Sequence, residues 1–384
     1  MVSGFMKMGW KRWLISLTID SRANSAILNS LANLWSSVLP EFHCPMHFVA
    51  SLTRDPTEIR RLARLWRESG DTRNPFRHVL VSAIFTKPNT LSLIRQMKED
   101  GLIEQVTFDS GGFFVQMGKI TYEEMYWRLL QFYREHSWAD WYTLPDYMPL
   151  STDDEATSWY KTRRSANGSR RFFEEMPSSQ QSRALPVIQG RTEEQIEYCL
   201  KTFLPLDVQR FGFGSFGTNG KESSANLLTT ESLEFVSYIA KVLQEQQKSL
   251  HAFGVGTPPI VYLLHCAGVS SFDSIGWMKT AGFGKVYLPF IRAYNITYDD
   301  TGARGMKQAT FEELKHLSQH RCAFCESFDM LSKKREYRVL HNLAAIHDTV
   351  EMVLTGNAAN MLHLTDKYAP AYTRLRRTIT DNGN

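Results

Sequence analysis

The chain is 384 residues long, 43% hydrophobic and 22% charged, an ordinary globular composition that excludes a disordered or fibrous protein. Its formal net charge of +4 permits a polyanionic partner without demanding one. Length alone allows one large α/β barrel or two to three smaller domains, and either can bury a sizeable core.

Of the five cysteines, Cys44, Cys199, Cys266, Cys322 and Cys325, only the last two are neighbours. That is no secreted disulfide framework, and a reducing, cytoplasmic setting is expected. Lys7, Lys11 and Arg12 precede a short apolar run without a small-residue cleavage site, so secretion is not expected. The longer apolar runs, such as residues 260–269 with His265 inside, fall well short of the roughly 20 residues that span a bilayer, and no membrane segment is expected.

After an N-terminal extension over residues 1–45, short β-rich runs alternate with amphipathic ones as far as about residue 290. Strands are predicted at residues 47–52, 78–85, 105–109, 141–146, 185–189, 210–214, 251–254 and 285–288. Helices are predicted at 57–69, 121–136, 192–203 and 231–247, where apolar residues recur at three- and four-residue spacing and acidic residues follow Thr. This alternation predicts the α/β class and a (β/α)8 barrel. Such a barrel takes about 250 residues and is assigned to 46–309. The excess falls in a polar, basic excursion at 151–183 and in a C-terminal subdomain at 310–384, where Cys and His cluster.

Polar residues and glycines gather at the predicted strand ends: Asp109-Ser110-Gly111-Gly112, Asp146, Gln189-Gly190, Gly212 and Gly214, and Gly254 and Gly256. Strand C-termini build the active site of this barrel type, so the set reads as a pocket, although Asp109 or Asp146 alone reads equally as a helix cap. A further carboxylate, Asp273, follows Phe272 after another apolar run. Two carboxylates suit a glycosidic bond broken with retention, one attacking the anomeric carbon while another group handles the proton.

The ordered set Asp-Ser-Gly-Gly (109–112), Asp146, Ile188-Gln189-Gly190, the glycine-rich 211–217, Gly-Val-Gly (254–256), Phe272-Asp273 and the C-terminal Cys/His cluster resembles the tRNA-guanine transglycosylase superfamily. The resemblance covers roughly residues 105–345 and implies a zinc-bearing TIM barrel that exchanges guanine in a polynucleotide for a 7-deazaguanine base. It makes Asp273 the nucleophile and Asp109 the proton-transfer carboxylate. Asp146 and Gln189, with Ser110 and Gly190, would read the purine edge, Gly214 would offer backbone hydrogen bonding, and Phe113 and Phe253 would sandwich the base.

The resemblance also implies a metal site in His320-Arg-Cys322-Ala-Phe-Cys325 followed by His341. The family pattern has Cys where His320 stands. Histidine is an acceptable zinc ligand, so the change leaves a Cys2His2 set, with His316 or His347 as other candidates for the fourth position. Four protein ligands make such a zinc structural.

After Phe272-Asp273 the chain runs Ser-Ile-Gly-Trp-Met-Lys and lacks the proline-threonine-arginine loop of tRNA-acting bacterial members. The resemblance is therefore closer to the DNA-acting branch, the deazapurine DNA modification protein A group, which inserts 7-cyano-7-deazaguanine (preQ0) into DNA. Lys161, Arg163, Arg164, Arg170 and Arg171, five cations in eleven positions without an acid, suit phosphate contacts. Companion DNA-modification proteins fit that setting. The alternatives are a transglycosylase acting on tRNA, a catalytically silent nucleic-acid-binding barrel, and a metal-stabilised barrel hydrolase.

Overall fold

The computed structural model describes residues 46–52, 55–218, 226–297 and 305–382. The expected N-terminal extension, Cys44 included, lies outside the described residues. Nine short strands share one sheet: β1 (His47–Ser51), β2 (His78–Ser82), β3 (Gln105–Asp109), β4 (Trp141–Thr143), β5 (Ala184–Leu185), β6 (Val187–Ile188), β7 (Arg210–Phe213), β8 (Ser249–Ala252) and β9 (Ser271–Ser274). Every pairing is parallel, in the order β5-β4-β3-β2-β1-β9-β8-β7-β6. The two ends of that order are neighbours in the chain. Pro186 separates β5 from β6 because proline has no N–H for the ladder, while its carbonyl still accepts from Gly212 N–H at 2.9 Å. β5 and β6 are therefore one stave, and the sheet closes into the expected eight-staved barrel.

One stave differs from the sequence expectation. The eighth strand is β9, which pairs with β1 and β8. Lys285–Leu288 (β10) instead pairs antiparallel with Ile291–Asn295 (β11), outside the barrel sheet. Asp273 therefore sits within a barrel strand. Because side chains alternate across a strand, Phe272 packs outward on Phe48, which also meets His347, while Ser271 and Asp273 face the barrel interior.

The staves are linked by α1 (Pro56–Glu68), α2 (Pro88–Glu99), α3 (Gly112–Gln116) with α4 (Tyr122–Glu135), α5 (Glu155–Glu175), α6 (Glu193–Phe203), α7 (Thr230–Gln244) and α8 (Pro258–Cys266). Their starts are written locally. Pro56 opens α1 behind Asp55, whose carboxylate accepts from Thr57 N–H at 2.9 Å, and Thr121 caps α4 through Glu124 N–H. Ile59, Leu62, Ala63 and Trp66 then form the buried stripe of α1.

The stretch 151–183, read from sequence as an excursion, contains α5, which joins β4 to β5 and packs along α6. The helix runs through Asn167-Gly168 in the middle of that stretch. A Cβ on Gly168 would lie 2.1 Å from the Tyr122 hydroxyl, so glycine is needed for the close approach of α4.

Beyond β9 come α9 (Gly276–Gly282), β10, β11, α10 (Gln308–Leu317), a 3-10 turn at Ala323–Cys325, α11 (Phe328–Lys333) and α12 (Arg335–Leu354). Pro45–Asn384 forms one unit, with α12 packed on α8, α9, β10 and β1. Buried Asn342 ties α12 down, donating to Trp277 O and Lys285 O and accepting from Tyr287 N–H at 2.7 Å. No helix among the described residues is long and apolar enough to cross a membrane.

Candidate active site and metal centre

Strand C-termini converge on one end of the barrel, and the expected polar residues lie there. Asp109 closes β3 and accepts from Gly111 N–H at 3.1 Å. Gly111 has φ of 86°, a left-handed conformation that favours glycine, and starts α3. A Cβ on the next residue, Gly112, would stand 2.4 Å from Asp146 Oδ1. The Gly-Gly pair thus brings the β3 turn against the carboxylate that follows β4.

Asp146 is held by a chain of donors from three turns. Gly112 N–H donates to Ser110 Oγ at 3.0 Å, and Ser110 donates to Asp146 Oδ1 at 2.5 Å. From the other side Gln189 Nε2 donates to Asp146 Oδ2 at 2.7 Å. Gln189 is fixed in turn by Ser215, and Ser215 by Gly190 N–H. Gly214 lies alongside, its N–H reaching Ile188 O only at 3.5 Å.

Asp273 is 5% exposed and carries donors on both oxygens. Ser51 Oγ at the end of β1 donates to Oδ2 at 2.6 Å, and Gly254 N–H donates to Oδ1 at 2.8 Å. His251 Nε2 lies 3.3 Å from the same Oδ1. Ser51, Ser215 and His251 were not singled out from sequence. Their one available signal was position: Ser215 follows Gly214, His251 precedes Phe253 by two, and Ser51 lies near the end of the first predicted strand.

Three carboxylates in one cleft cannot all ionise freely. Burial first, then the charges of Asp146 and Asp273, push the Asp109 carboxyl up to about 7. Burial also raises Asp146, against hydrogen bonds from Ser110 and Gln189. A carboxyl raised on folding favours the native state while protonated, and that contribution is lost as pH rises through the folded value. Asp109→Asn is therefore expected to melt higher than the wild type at pH 8, with the gap narrowing below pH 7 and closing near pH 4. Melting curves at stepped pH check this, and a gap constant with pH counts against the three-carboxylate coupling.

Phe253 is half-buried against His251, its ring 4.5 Å away, and fills the space left by Gly212. Phe113 is 42% exposed at the start of α3, edge-on to Phe114. The basic stretch gives one correction. Lys161 is buried, its ammonium 2.7 Å from Asp153 and over the Tyr147 ring, so its charge is compensated inside the protein and is not a phosphate contact. Arg164 pairs with Glu123, Arg170 with Glu174 and Arg171 with Glu175, while Arg163 lies over Trp159.

The C-terminal elements assemble the second cluster. His320, Cys322, Cys325 and His341 are all buried and bring one ligand atom each to within 4.8 Å of one another. His320 Nε2 is 3.2 Å from His341 Nδ1, Cys322 Sγ is 3.4 Å from both Cys325 Sγ and His341 Nδ1. Tetrahedral bonds of about 2.0–2.3 Å place ligand atoms roughly 3.3–3.8 Å apart, so the set fits one metal ion. The outward ring nitrogens are engaged as a ligating histidine requires: His320 Nδ1 with Asp348 at 2.7 Å and His341 Nε2 with Tyr287 O at 2.8 Å. The bond from Cys322, with His320 and His341 behind it, lowers the Cys325 thiol, while burial and the same bond raise Cys322. His316 is exposed and His347 faces Phe48, so neither joins the cluster.

Comparison with curated proteins finds no match. The family model described as queuine tRNA-ribosyltransferase matches residues 139–355, more than half of the chain. The match contains Asp146, Gln189, Gly214, Phe253, Asp273 and all four residues of the metal cluster, while Asp109 precedes it and is joined to them by the barrel geometry. The chain therefore belongs to the tRNA-guanine transglycosylase superfamily, whose family model is that of queuine tRNA-ribosyltransferase.

Proposed function

We propose that this protein is a DNA-guanine transglycosylase that exchanges guanine in DNA for preQ0 through a covalent glycosyl-enzyme. The observation that carries the reading is the juxtaposition of Asp273, held by three donors, with Asp109, whose carboxyl is raised to about 7. An oxygen of Asp273 attacks C1′, the bond from C1′ to guanine breaks, and the departing base takes its electron pair together with a proton from Asp109. The incoming deazaguanine gives its proton to Asp109 and attacks C1′, releasing Asp273. Two inversions retain the anomeric configuration.

Asp146 and Gln189 offer an acceptor and a polar amide to the purine rim, with Ser110 and Gly190 holding them and Gly214 N–H beside them. Phe113 and Phe253 are assigned to the base's faces, since a flipped base is held by stacking and rim hydrogen bonds together. The exposed Arg163, Arg164, Arg170 and Arg171 are assigned to strand phosphates. His320 through Nε2, Cys322, Cys325 and His341 through Nδ1 would hold zinc, which with four protein ligands supplies structure and no open position for chemistry. The C-terminal residues from 310 onward are thus a zinc-stapled subdomain, and the setting is cytoplasmic.

DNA is favoured because α9 begins at Gly276, three residues after Asp273, with Gly276 N–H bonded to Ser274 Oγ at 2.8 Å. The helix stands where tRNA-acting bacterial members carry a proline-threonine-arginine loop, which this sequence lacks. A target guanine must leave the duplex stack to reach Asp273, a step that companion DNA-modification proteins would assist. Exchange on tRNA is the second reading, favoured by the family's own description. Incubation with labelled preQ0 and either duplex DNA or unmodified tRNA, then nuclease digestion and mass spectrometry, separates them. Label is expected in a deoxynucleoside; label in a ribonucleoside moves the substrate to tRNA, and label in neither overturns the reading.

A further inference from the structure

Below Asp273 a line of buried polar groups crosses the barrel interior from the N-terminal ends of the strands toward the site. Arg210 opens β7 and is 7% exposed, with its Nη2 on Ser271 Oγ. Ser271 Oγ is 2.8 Å from His251 Nδ1, and His251 Nε2 is 3.3 Å from Asp273 Oδ1. His251 is 1% exposed, and such a group is costly unless its hydrogen bonds serve a purpose. We propose that His251 is a positioning residue for the Asp273 nucleophile, set in one tautomer by Ser271 and Arg210. This rests on the transglycosylase reading given above.

The direction of the chain follows from what each end can do. A guanidinium only donates and an ionised carboxylate only accepts. Arg210 therefore donates to Ser271 Oγ, and Asp273 requires the proton of His251 on Nε2. With Nδ1 left as a lone pair, the hydroxyl of Ser271 donates to it. Burial and the facing charge of Arg210 lower the His251 pKa while Asp273 opposes them, with a net lowering, so the ring stays neutral and the line keeps one sense. His251, Gly254 N–H and Ser51 together fix the carboxylate plane. Gly254 cannot do this alone, because its N–H bonds a single oxygen and leaves rotation about it free.

His251→Ala, His251→Gln and wild type are compared in single-turnover formation of the covalent adduct on a guanine-containing oligonucleotide, across pH 5 to 8. The alanine variant is expected to lose about ten- to hundredfold in maximal rate with the half-saturating oligonucleotide concentration little changed. Glutamine, which restores a non-titrating N–H donor, is expected to recover most of that rate at each pH. Rates equal to wild type in both variants overturn the proposal while leaving the functional reading standing, and absence of adduct in wild type overturns both. Nitrogen-15 spectra of the histidine ring in the unliganded protein read the tautomer without any assay. Neutral Nε2–H is expected, and Nδ1–H overturns the assignment whatever the activity.

Discussion

Asp273→Asn is expected to abolish the covalent protein–nucleic acid adduct and to lower base exchange by about 10⁴-fold or more, the range seen when a nucleophile is removed from a working site. The size follows from geometry. Asparagine keeps the volume and one acceptor, but it offers no anionic oxygen to C1′. It also turns an NH2 toward Ser51 Oγ, whose hydroxyl then accepts and loses the partner of its own proton, or toward the Gly254 and His251 donors, either way costing roughly 1–3 kcal/mol of stability. Both effects are measurable: quench the variant and wild type in denaturant after exposure to oligonucleotide, resolve them on a denaturing gel, and record melting curves beside it. An adduct of wild-type yield in the asparagine variant removes Asp273 from the nucleophile's role. Lost adduct with melting lowered by many degrees would show a folding defect, and Asp273→Glu then separates the cases, because it keeps the charge while displacing it.

How far the sequence reaches is visible strand by strand. The barrel was legible because most staves are runs such as the HVLVS of β2 and the QVTFD of β3, bounded by helices with Thr or Asp caps. β9 was not. Its four residues are SFDS, and only Phe272 carries the apolar signal, since Ser271 and Asp273 face the interior and belong to the polar line. The chemistry of the site erased the hydrophobicity by which a strand is recognised, and KVYL at β10 looked the better strand. The same cause hid His251, Arg210 and Ser51: a polar residue inside a barrel has no periodicity of its own, and its meaning is a partner 20 to 220 positions away. Gly168 carries a packing signal that shows only once Tyr122 is known to lie across it. The Cys322/Cys325 spacing needed no tertiary knowledge, because ligands three residues apart on one turn meet a metal whatever surrounds them. Choosing His320 over His316 or His347 did need it, because His316 is exposed and His347 faces Phe48.

Removing the metal is expected to unfold the C-terminal elements before it touches the chemistry. The cluster joins the α10 end at His320 and the 3-10 turn at Cys322 and Cys325 to α12 at His341, and its outward bonds run to Asp348 and the Tyr287 carbonyl of β10. Arg73 also pairs with Asp348 from the loop after α1 and donates to Arg321 O at 2.8 Å, so the staple reaches the barrel wall. Without a cation, two thiols and two imidazoles are left buried with only weak contacts to one another in place of metal bonds. Structural zinc binding is worth about 10 kcal/mol or more in small domains. A barrel with its own core shares only part of that, and a loss of roughly 4–5 kcal/mol corresponds to about 6 °C in melting temperature for a chain of this size. Cys325→Ser and chelated wild type are both expected to show that fall, with one metal per chain in untreated protein by elemental analysis. Assayed well below the lowered melting point, each is expected to keep its exchange rate within about threefold, because no ligand lies at the strand C-termini that carry Asp109, Asp146 and Asp273. Unchanged melting after complete metal removal would reject a structural ion. Lost exchange in a chelated protein that still melts like the wild type would assign the metal to the chemistry instead.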